Sequence, residues 1–111
     1  MSNAEAIDPT QASPKISPQM RAVLAIFSYD HFLMEFIGKA VDFENDSVDW
    51  DEIFAASLNA GQHAACLWAF SLWRDELRGD YPNMFEAALS MDTNLKTAVL
   101  RALRMRWGLQ R

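Results

Sequence analysis

The chain has 111 residues, half of them hydrophobic, and sets 10 basic against 15 acidic side chains for a net charge of −5. So rich an apolar supply excludes general disorder, and the length fits one domain with one core. Cys66 is the single cysteine, so no intramolecular disulfide forms; no apolar run approaches the roughly twenty residues of a membrane span; and the start lacks the basic and apolar regions of a signal peptide, so a cytoplasmic protein is expected.

Residues 1–16 are polar and small, carry Pro9 and Pro14 and show no hydrophobic period, which predicts a disordered N-terminal arm ahead of a single α-helical domain over 17–111. Ser17-Pro18 then reads as a helix start: the hydroxyl accepts an unpaired amide, and proline at the first helical position has no amide to leave unpaired. Met20, Val23, Leu24 and Phe27 recur at helical spacing, and Phe32, Leu33, Phe36, Ile37, Ala40 and Val41 repeat the pattern after Ser28-Tyr29-Asp30. Two helices, or one bent helix, are expected over 18–43.

Asp49-Trp50-Asp51-Glu52 has the form of a capping box, with Asp49 at the N-cap and Glu52 three residues on. It opens a short helix expected to bury Trp50, Ile53, Phe54 and Leu58. Asn59-Ala60-Gly61 interrupts the pattern. Residues 62–78, apolar on nearly every side from Ala64 to Trp73 and ending at Gly79, are the expected central helix. Asp80-Tyr81-Pro82-Asn83 is turn chemistry. Met84, Phe85, Ala88 and Leu89 mark a helix of about two turns, and a last helix runs from Leu95 to Trp107, closed by Gly108. The fold class that follows is all-α, a small irregular bundle of five or six helices. Four tryptophans and seven phenylalanines are a generous supply for its core. The surplus implies an unusually aromatic core or a face covered by a second copy in a homodimer.

Charge is segregated along the chain. Asp42, Glu44, Asp46, Asp49, Asp51 and Glu52 fall within eleven residues that contain no basic side chain, whereas Lys96, Arg101, Arg104, Arg106 and Arg111 follow with no acidic one. The acidic block, with Trp50 at its centre, is a candidate surface for a protein partner with a basic face; the alternative is a solvated loop whose last carboxylates cap a helix. A calcium loop fails on position: counting from Asp42, Ser47 stands where glycine is needed and Ile53 where a bidentate glutamate is needed.

On the last helix, Asn94, Thr97, Arg101, Arg104 and Arg111 share a polar stripe opposite Leu95, Val99, Ala102 and Met105. With a short helix and a turn before it, this outlines a helix-turn-helix in which Thr97, Arg101, Arg104 and Arg111 would meet nucleic acid. The turn lacks glycine and the net charge opposes DNA, and basic residues also complement a helix C-terminus.

Catalytic chemistry has little to work with. The two histidines, His31 and His63, pair in sequence only with Glu35 and Cys66; no phosphate-cradling glycine motif occurs; and Cys66 lacks the basic neighbours that activate a thiol. The expectation is a non-enzymatic interaction module with no metal or cofactor, with a DNA-binding regulator as the alternative.

Overall fold

Ser17 caps the first helix as its sequence requires: its Oγ accepts the Met20 amide at 3.1 Å, and Pro18 follows at the first helical position. The structure, a computed structural model, describes residues 16–74 and 84–109. The expected arm up to residue 15, the Asp80–Asn83 turn, the Gly79 stop and Arg111 lie outside the described residues.

Six helices and one two-stranded hairpin follow in order: α1 (Pro18–Phe27), α2 (His31–Lys39), β1 (Val41–Asp42), β2 (Ser47–Val48), α3 (Trp50–Ala55), α4 (Ala60–Arg74), α5 (Met84–Ser90) and α6 (Thr93–Arg106). The domain is mostly helical, in agreement with the all-α reading. Asp30 ends the ambiguity between two helices and one bent helix. Its carboxylate accepts the amides of Phe32 and Leu33 at 2.9 and 3.1 Å, which caps α2 as a separate element. Asp49 likewise takes the Glu52 amide at 3.1 Å at the start of α3, and Asp92 takes the Leu95 amide at 2.8 Å at the start of α6.

Helix α1 buries Met20, Ala22, Val23, Ala25, Ile26 and Phe27 and leaves Arg21 exposed, because it packs on α6, α4 and α2 at once. The central position expected for α4 is therefore shared with α1. Helix α4 buries Ala65, Cys66, Trp68, Ala69 and Leu72 and meets α1, α6, α5 and α3. From α6 come Leu95, Val99 and Ala102, with Met105 half-buried, the face that its spacing predicts.

Aromatic packing concentrates around Trp50. Its ring meets Phe27, Phe54, Phe70 and Trp73, with centroids 5.1–6.4 Å apart. Phe54 stacks at 29° to the Trp50 ring, while the other three are tilted or edge-on, which sets the negative ring face against a positive ring edge. The indole Nε1 atoms of Trp50, in this cluster, and of Trp68, on α4, are buried without an acceptor among the described residues.

Three local expectations are corrected. The junction between α2 and α3 forms a short antiparallel hairpin, pairing Val41 with Val48 and Asp42 with Ser47, which the helical period of the preceding residues did not signal. Helix α5 presents Phe85 and Leu89 outward, 85% and 88% exposed, and buries Ala87, with Met91 just beyond its end, so its core-facing side is not the one its largest residues mark. Trp107, counted in the core supply, stands 68% exposed just past α6.

Candidate functional site

The acidic block divides into carboxylates that build the hairpin and carboxylates that face outward. Asp42 accepts the Asn45 side-chain amide at 2.7 Å and the Asn45 backbone amide at 3.1 Å. Those donors hold its carboxyl below the ordinary value, the side-chain amide contributing most. Asp46 adopts a left-handed backbone, φ 52°, and accepts the Ser17 hydroxyl at 2.9 Å. Asp49 is spent as the cap of α3. Glu44, Asp51 and Glu52 carry their charge on exposed residues. Trp50, placed at the centre of the block by sequence, is half-buried in the aromatic cluster.

The basic stripe of α6 is realised on the surface. Asn94, Thr97, Arg101 and Arg104 are all exposed, as is Lys96. Arg106 is used differently: its Nε donates to the Leu72 carbonyl oxygen at 3.0 Å, placing a cation against the C-terminal turn of α4.

One residue of the hairpin, Phe43, and one of the α6 stripe, Arg101, line an open cleft of about 470 Å³. Its floor and walls come from α1 through Leu24 and Ala25, from the following turn through Tyr29, from α2 through Ile37 and from α6 through Met105. Phe43, 44% exposed and flanked in sequence by Asp42 and Glu44, closes the side that belongs to the hairpin. Arg101 of α6 and Arg21 of α1 add guanidinium groups, and Ile16 lines the cleft where the described chain begins. The lining is thus mainly apolar, with acidic side chains on the hairpin that bears Phe43 and basic ones on the helices beyond. Its volume falls in the range of sites that take a side-chain cluster or a small molecule.

No family model, curated protein or solved structure matches this chain. Function therefore rests on the geometry of its own residues.

Elsewhere the chemistry-bearing groups are dispersed. Among the described residues no three His, Cys, Asp or Glu side chains cluster as a metal site would require. His63 packs edge-on to Phe54 with ring centroids 5.8 Å apart. Cys66 is buried, and desolvation, with the Asp30 charge second, pushes its thiol up to about 12, so it is no nucleophile near neutral pH.

The acidic block and the α6 arginines are visible in sequence; the cleft lined by Phe43 and Arg101 is not. Arg21 and Leu24 stand one turn apart on α1, with Ser28 as its C-cap a turn further on, and Arg101 and Met105 one turn apart on α6, so each stripe carries a local signal. That the stripes face one another is set by the packing of α1 on α6, which no local pattern encodes.

Proposed function

We propose that the chain is a non-enzymatic protein-interaction module, a regulator, inhibitor or accessory subunit, that acts by stoichiometric binding through its charge-polarised surface. The carrying observation is that Phe43 of the acidic hairpin and Arg101 of the basic α6 line one open, mainly apolar cleft. Opposed charges steer a partner and fix its orientation, while the apolar lining supplies the area whose burial holds it. A partner with a basic face fits the outward carboxylates Glu44, Asp51 and Glu52. No helix among the described residues is long and apolar enough to cross a membrane, so the reading needs no bilayer.

The test is a triple reversal, Glu44→Lys, Asp51→Lys and Glu52→Lys, which spares the carboxylates that cap helices and hold the hairpin. Partners captured by the wild-type chain are identified, and their association is timed at low and moderate salt. A slower on-rate for the variant, converging on wild type as salt rises, supports the reading; unchanged kinetics remove it.

A second reading, a DNA-binding regulator, is favoured by one observation: Thr97, Arg101 and Arg104 lie exposed along α6. Its test is binding of a mixed-sequence duplex by fluorescence anisotropy. Several phosphate contacts give affinity that falls linearly in log salt, and no binding at low salt eliminates it.

A further inference from the structure

We infer that the outward face of α6 is a docking surface for an acidic segment of a partner protein, one that sets an apolar anchor among carboxylates. The inference rests on the interaction-module reading and adds a second contact surface, opposite in sign to Glu44, Asp51 and Glu52.

Helix α6 buries Leu95, Ala98, Val99, Ala102 and Leu103 against the bundle, which leaves its opposite side to solvent. At roughly 100° per residue, Lys96, Leu100 and Trp107 fall within about 40° of one another, with Arg104 about 40° beyond Leu100 and Arg101 about 60° further. All five are exposed, Leu100 by 55% and Trp107 by 68%, and Leu109 follows at 56%. The outer face of a bundle helix is ordinarily polar. Here a large aromatic and two leucines stand among cations instead. Among the described residues, Lys96, Arg101 and Arg104 engage in no side-chain hydrogen bond or ion pair, unlike Arg106, which is held by the Leu72 carbonyl oxygen. No acidic residue occurs from Thr93 to Arg111, so no carboxylate of the helix itself neutralises them.

Charge and apolar surface together choose the occupant. Three exposed cations favour an anion, and carboxylates suit them, since the two guanidinium groups offer forked donors. Leu100 and Trp107 demand apolar contact at the same time, and tryptophan and arginine are the side chains that concentrate binding energy at protein interfaces. Nucleic acid meets only the first demand: a phosphate pressed on Leu100 loses water and gains no donor there. A duplex or an anionic bilayer also extends well past the ~20 Å of α6, into the field of a chain with net charge −5. A short acidic segment stays within the positive field of the helix, because charges beyond about 8–10 Å are screened.

The experiment uses the full chain and three fluorescein-labelled peptides that share a central pair of leucines, flanked by glutamates, by glutamines or by lysines. Anisotropy titrations are expected to rank the glutamate peptide first and the lysine peptide last. Lys96→Glu combined with Arg104→Glu should weaken the glutamate peptide about tenfold, strengthen the lysine peptide and leave the glutamine peptide within about twofold. Leu100→Ser and Trp107→Ala, both at exposed positions, should each weaken the glutamate and glutamine peptides by about threefold to tenfold with the helical circular dichroism unchanged.

Equal binding of the glutamate and lysine peptides, failure of all three, charge reversal that shifts them alike, or unchanged binding in Trp107→Ala overturns the inference. A mixed-sequence DNA duplex or phosphatidylserine vesicles that bind while the glutamate peptide does not assign the face to a polyanion and overturn it. Self-association lost in Trp107→Ala, with no peptide binding, assigns it to a second copy and overturns it too. The two readings fail separately. Absent peptide binding with partner kinetics still sensitive to Glu44, Asp51 and Glu52 removes the α6 surface and keeps the module; peptide binding with insensitive partner kinetics does the reverse.

Discussion

The Ser17 hydroxyl oxygen serves two elements at once: it accepts the Met20 amide at 3.1 Å to cap α1 and donates its proton to Asp46 Oδ1 at 2.9 Å in the hairpin turn. One side chain therefore fixes both the start of the innermost helix and the loop that carries Phe43 to the cleft. Ser17→Ala removes both bonds and should cost about 1–2 kcal/mol in denaturant unfolding.

Asp46 is held at a positive φ that asparagine tolerates and alanine does not. Asp46→Asn keeps an oxygen acceptor for Ser17 and should unfold close to wild type. Asp46→Ala loses the acceptor and strains the backbone, so its midpoint should fall further than that of Ser17→Ala.

Gly61 lies in the first turn of α4, where a Cβ would run into the carbonyl oxygen of Ser90 at the end of α5. Helix propensity alone favours Gly61→Ala by about 1 kcal/mol. The contact predicts the opposite sign, a loss of stability in thermal or urea unfolding, because backbone and not a flexible side chain must give way.

Cys66 makes stability depend on alkaline pH. Its thiol ionises at about 12 when folded and near the ordinary value of 9.0 when unfolded, so between those values the unfolded chain binds fewer protons and gains relative to the folded one. The stabilisation is complete below pH 9 and is lost as pH rises from there toward 12. The urea midpoint should fall across that window more steeply for the wild type than for Cys66→Ala, and a thiol reagent at neutral pH should modify Cys66 only on unfolding.

Trp50 carries a buried indole N–H with no acceptor at the middle of the aromatic cluster. Trp50→Phe removes that unpaired donor and keeps a ring, so it should cost less than about 1.5 kcal/mol. Trp50→Ala empties the centre of the cluster and should cost about 3–5 kcal/mol, read from the same unfolding curves.

Elements announced by local chemistry are the ones legible in the sequence. Ser17-Pro18 and Asp49 act through groups two or three residues away, so the helix starts they dictate appear where the sequence puts them. The buried face of α6 follows from its period for the same reason. Helix α5 defeats that logic. Phe85 and Leu89 are exposed, whereas the small Ala87 is what fits against the bundle. The Gly61 approach to Ser90 is illegible too: in sequence it reads as a break in the pattern, whereas its role is to let two segments far apart in the chain touch. Of the charged residues named from sequence Arg101 alone lines the cleft, whose walls depend on α1 meeting α6.

That pairing has a consequence for synthesis. Helix α1 finds its most extensive contact in α6, the last described helix, so part of its apolar surface is translated long before its main partner exists. The face of α1 that α6 covers therefore lacks its native partner until Thr93–Arg106 has been made, whereas the faces toward α2 and α4 can be covered earlier.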